Sequence, residues 1–581
     1  MNKGDLMKSI LTFEEVRNAI IGQNFVFQTP YGNRLLLYVD YTASGRSIKF
    51  IEQFLIKIQR EYANTHTEDA VTGRHMTKIL HQAEVLIKKA FNAEKNCRII
   101  ATGTGATGAI SKFQEIIGIR LPPATKELMR TLLDKSAKDN GLEQNLNDEL
   151  IKEINRFKPV VFIGPYEHHS NDIMWREAIA EVITIQLTPD GYFDLEDLER
   201  QVSDPKYKNR LKIGSFSAAS NVTGLKSPVY EISRILHKYG CIVCFDFAAS
   251  APYVKIDMNK DPDTYFDAIF ISPHKFVGGP GSSGILVFNE RVYKTALSPT
   301  SAGGGTVDFV TSISVDYSED IEIREKAGTP GVLQTIKAAL AIDLKDAIGI
   351  EYIETKELEY TTIALERLSK HSKIEILGPL DPKNRISVMS FLIKHDDKYL
   401  HPKFITKLLN DLFGIQSRAG CMCAGPYGHL LLNLEEERSQ MFRCITQKGK
   451  IGFKPGWCRV NFHYLLSKLE FEFICKAIEF IADYGHLFLD DYSFNINSGE
   501  WTHLNFEDTQ DNNQPDIKSI LSIDLKNCFD EEIINQNAEF TKYLNEAKKI
   551  VKNFEGQREY QQFDDALIEE LRWFNFIHLT K

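Results

Sequence analysis

An α/β chain built on a mainly parallel sheet is predicted by three features of the sequence. Between residues 97 and 271, apolar runs of strand length alternate with stretches of helical periodicity, the rhythm of strand-helix-strand units. The apolar runs are near-continuous, as expected of strands covered on both faces. Each run ends in small or polar residues, so chemistry-bearing side chains collect at strand ends. The most informative end is Ser272-Pro273-His274-Lys275-Phe276-Val277-Gly278-Gly279-Pro280-Gly281, which follows the apolar run 265–271. A lysine delivered there by a buried strand can bring its amine to a bound aldehyde while the backbone stays close. A solvated loop lysine is the plainer reading of that residue taken alone.

At 581 residues the chain has room for two or more domains, and 43% hydrophobic with 25% charged residues is a globular composition. A net charge of -10 supplies no basic excess to displace counterions, which argues against a nucleic-acid partner. The first residues lack a secretory pattern, and no stretch stays apolar for about 18 residues, so a cytoplasmic protein with no membrane partner is expected. Nine irregularly spaced cysteines do not form a disulfide framework. Cys241 and Cys244 make a CxxC by letter but lie in a strand-like run, where core thiols are the plain reading.

The elements follow in order. A short helix is expected over 12–21 and a strand over 35–40, with helices at 47–62 and 75–92. The polar loop between those helices holds His66, open between a capping role and a site role. A strand at 97–101 runs into Thr102-Gly103-Thr104-Gly105-Ala106-Thr107-Gly108 and then a helix over 109–117. A helix N-terminus behind such a loop presents free amides to a phosphate, although a simple strand-to-helix turn has the same letters. Residues 121–158 are charge-rich and read as an inserted helical excursion. The strand at 159–164 leads to Glu167-His168-His169, where an imidazole can stack on a flat cofactor or merely cap a solvated turn. Strands at 212–217 and 242–247 flank a helix at 228–239. Asp246 ends the second of them, and a carboxylate in that position requires a cation or strong donors.

Taken together, Thr104-Gly105-Ala106-Thr107, Glu167-His168-His169, Ser220-Asn221-Val222-Thr223-Gly224, Asp246 and Ser272-Pro273-His274-Lys275 occur in one order, with Asp246 29 residues before Lys275. This set resembles the class V aminotransferase-like branch of fold type I pyridoxal-phosphate enzymes, within it the cysteine desulfurase and selenocysteine lyase group. The resemblance covers residues 35–480. It implies a large domain with a seven-stranded-type, mainly parallel sheet and a smaller α+β C-terminal domain. It also implies pyridoxal 5'-phosphate as cofactor, with Lys275 holding it and later shuttling protons and Asp246 pairing with the ring nitrogen. His168 would stack on the ring and Asn221 meet its oxygen, while Gly105, Ala106, Thr107, Ser272 and His274 would grip the phosphate. The segment around Thr329 is similar to one that reaches the phosphate across a dimer interface in relatives, so a homodimer is expected.

In the second half, Arg418, Gly420, Cys423, Ala424 and Pro426 match the pattern around the sulfur-accepting cysteine of that group. Arg459 is similar to its carboxylate-binding arginine, with Arg418, Asn221 and His66 as further substrate contacts. The implied reaction takes an amino acid, cysteine or selenocysteine, to alanine, leaving a persulfide or its selenium counterpart on Cys423 for an acceptor protein. Another class V reaction (transamination, epimerisation or a different lyase step) and a non-catalytic scaffold are the alternatives. No metal site is expected. Three departures stand out. Cys421 and Met422 occupy positions where the group often has histidines, Ala249 stands where relatives often carry a polar side chain, and residues 427–455 extend the chain beyond the cysteine loop. Cys421 is open between a sulfur relay, a transient disulfide with Cys423 and no role.

The expected domains are an N-terminal segment (1–34), a cofactor-binding domain (35–335) with the excursion 121–158, a small domain (336–486) with the insertion 427–455, and an extension (487–581). In the extension, two strands around Asn495-Ile496-Asn497-Ser498 suggest a hairpin, 505–518 a polar linker, and 530–575 helix. Its apolar stripe, with Phe540, Tyr543, Leu544 and Ala547, suits packing on the body, with partner docking as the alternative.

Overall fold

The computed structural model describes residues 12–65, 67–139, 152–153, 155–420, 423–507, 534–554 and 558–580. His66, Cys421, Met422 and most of the linker at 505–518 lie outside the described residues. The chain divides into two compact units, one of residues 51–220 and 226–350, the other of residues 1–50, 221–225 and 351–581.

The first unit holds a seven-stranded sheet. Its strands are β1 (Cys97–Ala101), β2 (Val160–Ile163), β3 (Glu181–Thr184), β4 (Lys212–Ser217), β5 (Ile242–Asp246), β6 (Ala268–Ile271) and β7 (Ile285–Asn289). The order across the sheet is β1-β7-β6-β5-β4-β2-β3. Strands β3, β2, β4, β5 and β6 are parallel, and β7 runs antiparallel to both β6 and β1. The fold is therefore the mainly parallel α/β arrangement expected. β2 and β6 are buried along their whole length, which explains their unbroken apolar sequences.

This topology decides where side chains meet. Because β7 is antiparallel to both neighbours, β1 points the same way as β6, and Ala101 and Ile271 flank Ile285 in register. The carboxyl ends of β1, β2, β4, β5 and β6 consequently share one edge of the sheet. Each is followed there by a motif singled out above, and ligands of open α/β sheets bind at such edges.

Helix α1 (Val71–Ala90) agrees with expectation except that it begins four residues early. Helix α2 (Gly105–Ile116) also begins four residues early, at the glycine itself rather than at Ala109. The excursion contains a helix over Pro123–Asp139; its residues 140–151 and 154 lie outside the described residues.

The second unit contains a sheet with β8 (Ile374–Ile376), β9 (Val388–His395), β10 (Arg418–Gly420) and β11 (Trp457–Asn461), in the order β8-β9-β11-β10 and antiparallel throughout. Helices over Pro402–Phe413 and Lys468–Tyr484 supply Phe404, Leu408, Leu412, Phe471 and Ile474 to its core. The N-terminal segment belongs to the same body, Leu37–Tyr38 pairing in parallel with Ile415–Gln416.

So does the extension. Its helix over Gln536–Val551 buries Phe540, Tyr543 and Ala547, and the Phe540 ring stacks on Phe473 at 4.2 Å. Arg34 is buried with its guanidinium 4.5 Å from the Tyr543 ring centre, and the Tyr543 hydroxyl accepts from the Leu35 amide at 2.9 Å. The hairpin is present over Tyr492–Asn495 and Trp501–His503, but residues 485–491 form a 3-10 turn where a strand was expected from 488. A third strand, His578–Thr580, pairs in parallel with the first, where the sequence shows no strand signal.

Candidate functional site

In the first unit, the strand-end motifs converge. The loop after β6 makes a 3-10 turn over Pro273–Lys275, led by the buried Ser272. The Ser272 hydroxyl oxygen accepts from the Ala106 amide at 2.8 Å, tying the β6 end to the start of α2. Gly105 has a positive φ of 68°, and a Cβ there would lie 2.8 Å from Ser272 Oγ and 2.9 Å from His274 Cε1. Gly284 completes the close approach, since a Cβ on it would lie 2.2 Å from the Gly105 carbonyl oxygen. Gly105, Ala106, Ser272 and His274 are thus one cluster at a helix N-terminus. Thr107, on the same first turn, places its hydroxyl 2.7 Å from that of Ser170, in the helix that His168 caps.

Asp246 ends β5 with its side chain buried, 4% exposed, and accepts from the Ala248 amide at 2.8 Å. Burial pushes its carboxyl up, while that amide and the Lys275 ammonium pull it down. Burial and the neighbouring Lys275 charge lower His274 to about 4. Lys275 thus lies close enough for its charge to favour the ionised Asp246 carboxylate.

His168 caps the helix over His169–Arg176, its Nδ1 accepting from the Ser170 amide at 3.1 Å, which orients the ring. Behind it lies a network the sequence reading did not register. Glu167 is buried and accepts from the Gly164 amide at 3.0 Å, the Ser217 amide at 2.8 Å, the Ser217 hydroxyl at 2.6 Å and Asn171 Nδ2 at 2.6 Å. Burial raises it to about 7, with the nearby Asp246 charge adding to that. Thr329 is exposed and accepts from Asn64 Nδ2 at 3.3 Å. Its segment is pinned by the ion pair of buried Glu325 with Lys112, 2.7 Å.

In the second unit, Arg459 is buried on β11. Its Nη2 is 2.7 Å from Asp40 Oδ1 and its Nη1 donates to the Asn221 carbonyl at 2.8 Å. Arg418 stands directly across from it on β10 and is exposed. Cys423 is partly exposed and holds the left-handed conformation, φ 58°, just before buried Ala424 and the helix over Gly425–Leu431. The insertion after it contributes Phe442 and Ile445 to the core. Asp40 escaped notice as a site residue, although it ends an apolar stretch just as Asp246 does.

The family model described as aminotransferase class V matches residues 149–462. The chain belongs to the class V aminotransferase family. Among class V relatives, a probable cysteine desulfurase of Halalkalibacterium halodurans is 30% identical over 333 residues, 56% of this chain and 72% of that protein. A probable cysteine desulfurase of Staphylococcus aureus is 28% identical over 415 residues, covering 70% and 88% of the two chains. The fold is that of solved structures including the apo cysteine desulfurase of Thermococcus onnurineus, with TM-score 0.61 and 21% identity over 81% of this chain and 98% of that one. A cysteine desulfurase of Escherichia coli aligns with TM-score 0.55 and 18% identity over 76% and 93%.

Class V enzymes work with pyridoxal 5'-phosphate, and the residues of the first unit fit that group. A helix N-terminus with a side-chain-free glycine beside Ser272 suits a phosphate. A buried carboxylate suits a protonated ring nitrogen, and a lysine amine on the neighbouring strand-end loop suits a carbonyl carbon. Among the described residues, no helix is long and apolar enough to cross a membrane.

Proposed function

We propose that the protein is a pyridoxal-phosphate-dependent cysteine desulfurase that converts L-cysteine to L-alanine, with selenocysteine as an alternative substrate. The observation that carries this reading is the convergence of the Gly105 loop, Ser272, His274, Asp246 and Lys275 at one sheet edge. The arginine, glycine, cysteine and proline spacing around Cys423 and the names of the matched relatives give it direction.

Gly105, Ala106, Thr107, Ser272 and His274 would hold the cofactor phosphate, with Thr329 supplied by a second copy of the chain. Asp246 would pair with the ring nitrogen, His168 cover one ring face, Asn221 meet the ring oxygen, and Lys275 form the covalent attachment. The bound cofactor supplies an electron sink that acidifies the substrate Cα–H. Lys275 takes that proton. Arg459, with Arg418, Asn221 and His66, holds the substrate carboxylate and orients it, a task suited to a guanidinium fork. The Cys423 thiolate attacks the substrate sulfur, an S–S bond forms as the C–S bond breaks, and a proton returned to carbon completes alanine. The persulfide on Cys423 then passes to an acceptor protein. A cytoplasmic homodimer is the expected assembly.

The test is to supply the purified, cofactor-loaded protein with L-cysteine and a thiol reductant. Alanine and sulfide should appear in equal amounts, and the absorption band of the lysine-linked cofactor should be lost in Lys275→Ala. A requirement for a keto acid, or turnover without sulfide, contradicts the reading.

A further inference from the structure

This inference rests on the reading of Arg459 as the carboxylate site and concerns what holds that arginine in place. Arg459 is 3% exposed, and a cation so far from water requires anionic and carbonyl partners. Asp40 supplies a carboxylate to Nη2 and Asn221 a carbonyl to Nη1, from two segments distant in sequence from β11 and from each other. The two contacts reach different nitrogens of one planar group, so together they define its plane.

Asp40 is itself built in. Its backbone carbonyl accepts from the Ala43 amide at 2.9 Å and from the Tyr38 hydroxyl at 3.1 Å. One residue earlier, the Val39 carbonyl accepts from the Asn461 amide at 2.8 Å, locking this segment to β11 just past Arg459. The surroundings are cationic. Arg418 lies across from Arg459 in register, and the charges of Asp40, Arg46, Arg459 and Arg418 all bear on the Tyr38 phenol. An anion here offsets repulsion between facing arginines as well as orienting one of them.

We propose that Asp40 is a positioning residue of the substrate-carboxylate site: with the Asn221 carbonyl it fixes the plane of the Arg459 guanidinium, and substrates are selected for a carboxylate only while it does so.

The experiment uses the cofactor-loaded, full-length protein and two probes, β-mercaptopropionate, which has the carboxylate but no amine, and cysteamine, which has the amine but no carboxylate. Both are titrated calorimetrically into wild type, Asp40→Asn, Asp40→Glu and Arg459→Lys, and KM and kcat for L-cysteine are measured in parallel. Asp40→Asn should weaken β-mercaptopropionate about tenfold or more, leave cysteamine within about twofold, and raise KM far more than it lowers kcat. Asp40→Glu should recover part of the loss. An unchanged β-mercaptopropionate affinity in Asp40→Asn, or an equal loss of both probes, overturns the proposal. If Arg459→Lys weakens β-mercaptopropionate and Asp40→Asn does not, only the role of Asp40 falls. If Arg459→Lys also leaves it unchanged, the carboxylate reading of Arg459 falls with it.

Discussion

The Ser272 hydroxyl oxygen accepts a 2.8 Å hydrogen bond from the Ala106 amide, so the loop carrying Lys275 and the N-terminus of the helix over Gly105–Ile116 are held as one piece. Two strand ends separated by an intervening antiparallel strand, about 10 Å across, are bridged by one side chain. Ser272→Ala removes that acceptor. Pyridoxal phosphate should bind about tenfold more weakly, the loss of one hydrogen bond worth about 1.5 kcal/mol. Titration of the cofactor absorption band measures it, and the thermal midpoint of the cofactor-free protein should fall as well, because the Ala106 amide loses its acceptor.

Glu357 gives a pH dependence with a definite sign. Its carboxylate is buried, accepts from the Ser387 and Tyr464 amides at 3.0 Å each, and is raised to about 7, chiefly by burial. Between its ordinary value of 4.5 and about 7, the unfolded chain ionises this group while the folded chain keeps it protonated. Its contribution to stability therefore falls as pH rises through that window and is flat above it, a change of order 3 kcal/mol. Glu357→Gln loses this dependence. The midpoint difference, wild type minus variant, should shrink from pH 5 to pH 7 in thermal melts, on the order of the window just given.

The extension is core. Phe540 is 2% exposed and stacks on Phe473, so Phe540→Ala should cost about 3 to 5 kcal/mol in denaturant unfolding of the whole chain. A value near zero would mean that the helix over Gln536–Val551 is a separable attachment.

Much of this was legible in the sequence because the sheet is regular. Near-continuous apolar runs located five of the seven strands of the first unit to within a few residues, and the residues following them are the ones that meet; the strand over Ile285–Asn289, though apolar, was not singled out because no motif follows it. The strand over Glu181–Thr184 was missed: it lies at the sheet edge and is only half-buried, so its sequence lacks the apolar signature. The helix start at Gly105 was misplaced because glycine and threonine are poor helix formers, and the gain there is a close approach to Ser272 that no local pattern records. Tertiary pairing hid the rest. Asp40 and Arg459 meet across 419 residues of sequence, and the strand over His578–Thr580 exists only because a hairpin edge from residue 492 onward receives it. The Glu167 network was invisible for a different reason: half of its donors are backbone amides, which every sequence contains, and the others come from Ser217 and Asn171 on separate elements.

The most direct test of the central claim is the mass of the protein after brief exposure to L-cysteine without reductant. The account predicts a gain of one sulfur atom, located on Cys423, removed by a reductant and absent in Cys423→Ala and Lys275→Ala. An unchanged mass in wild type, with alanine nonetheless released, would contradict the assignment of Cys423 as the group that takes the sulfur.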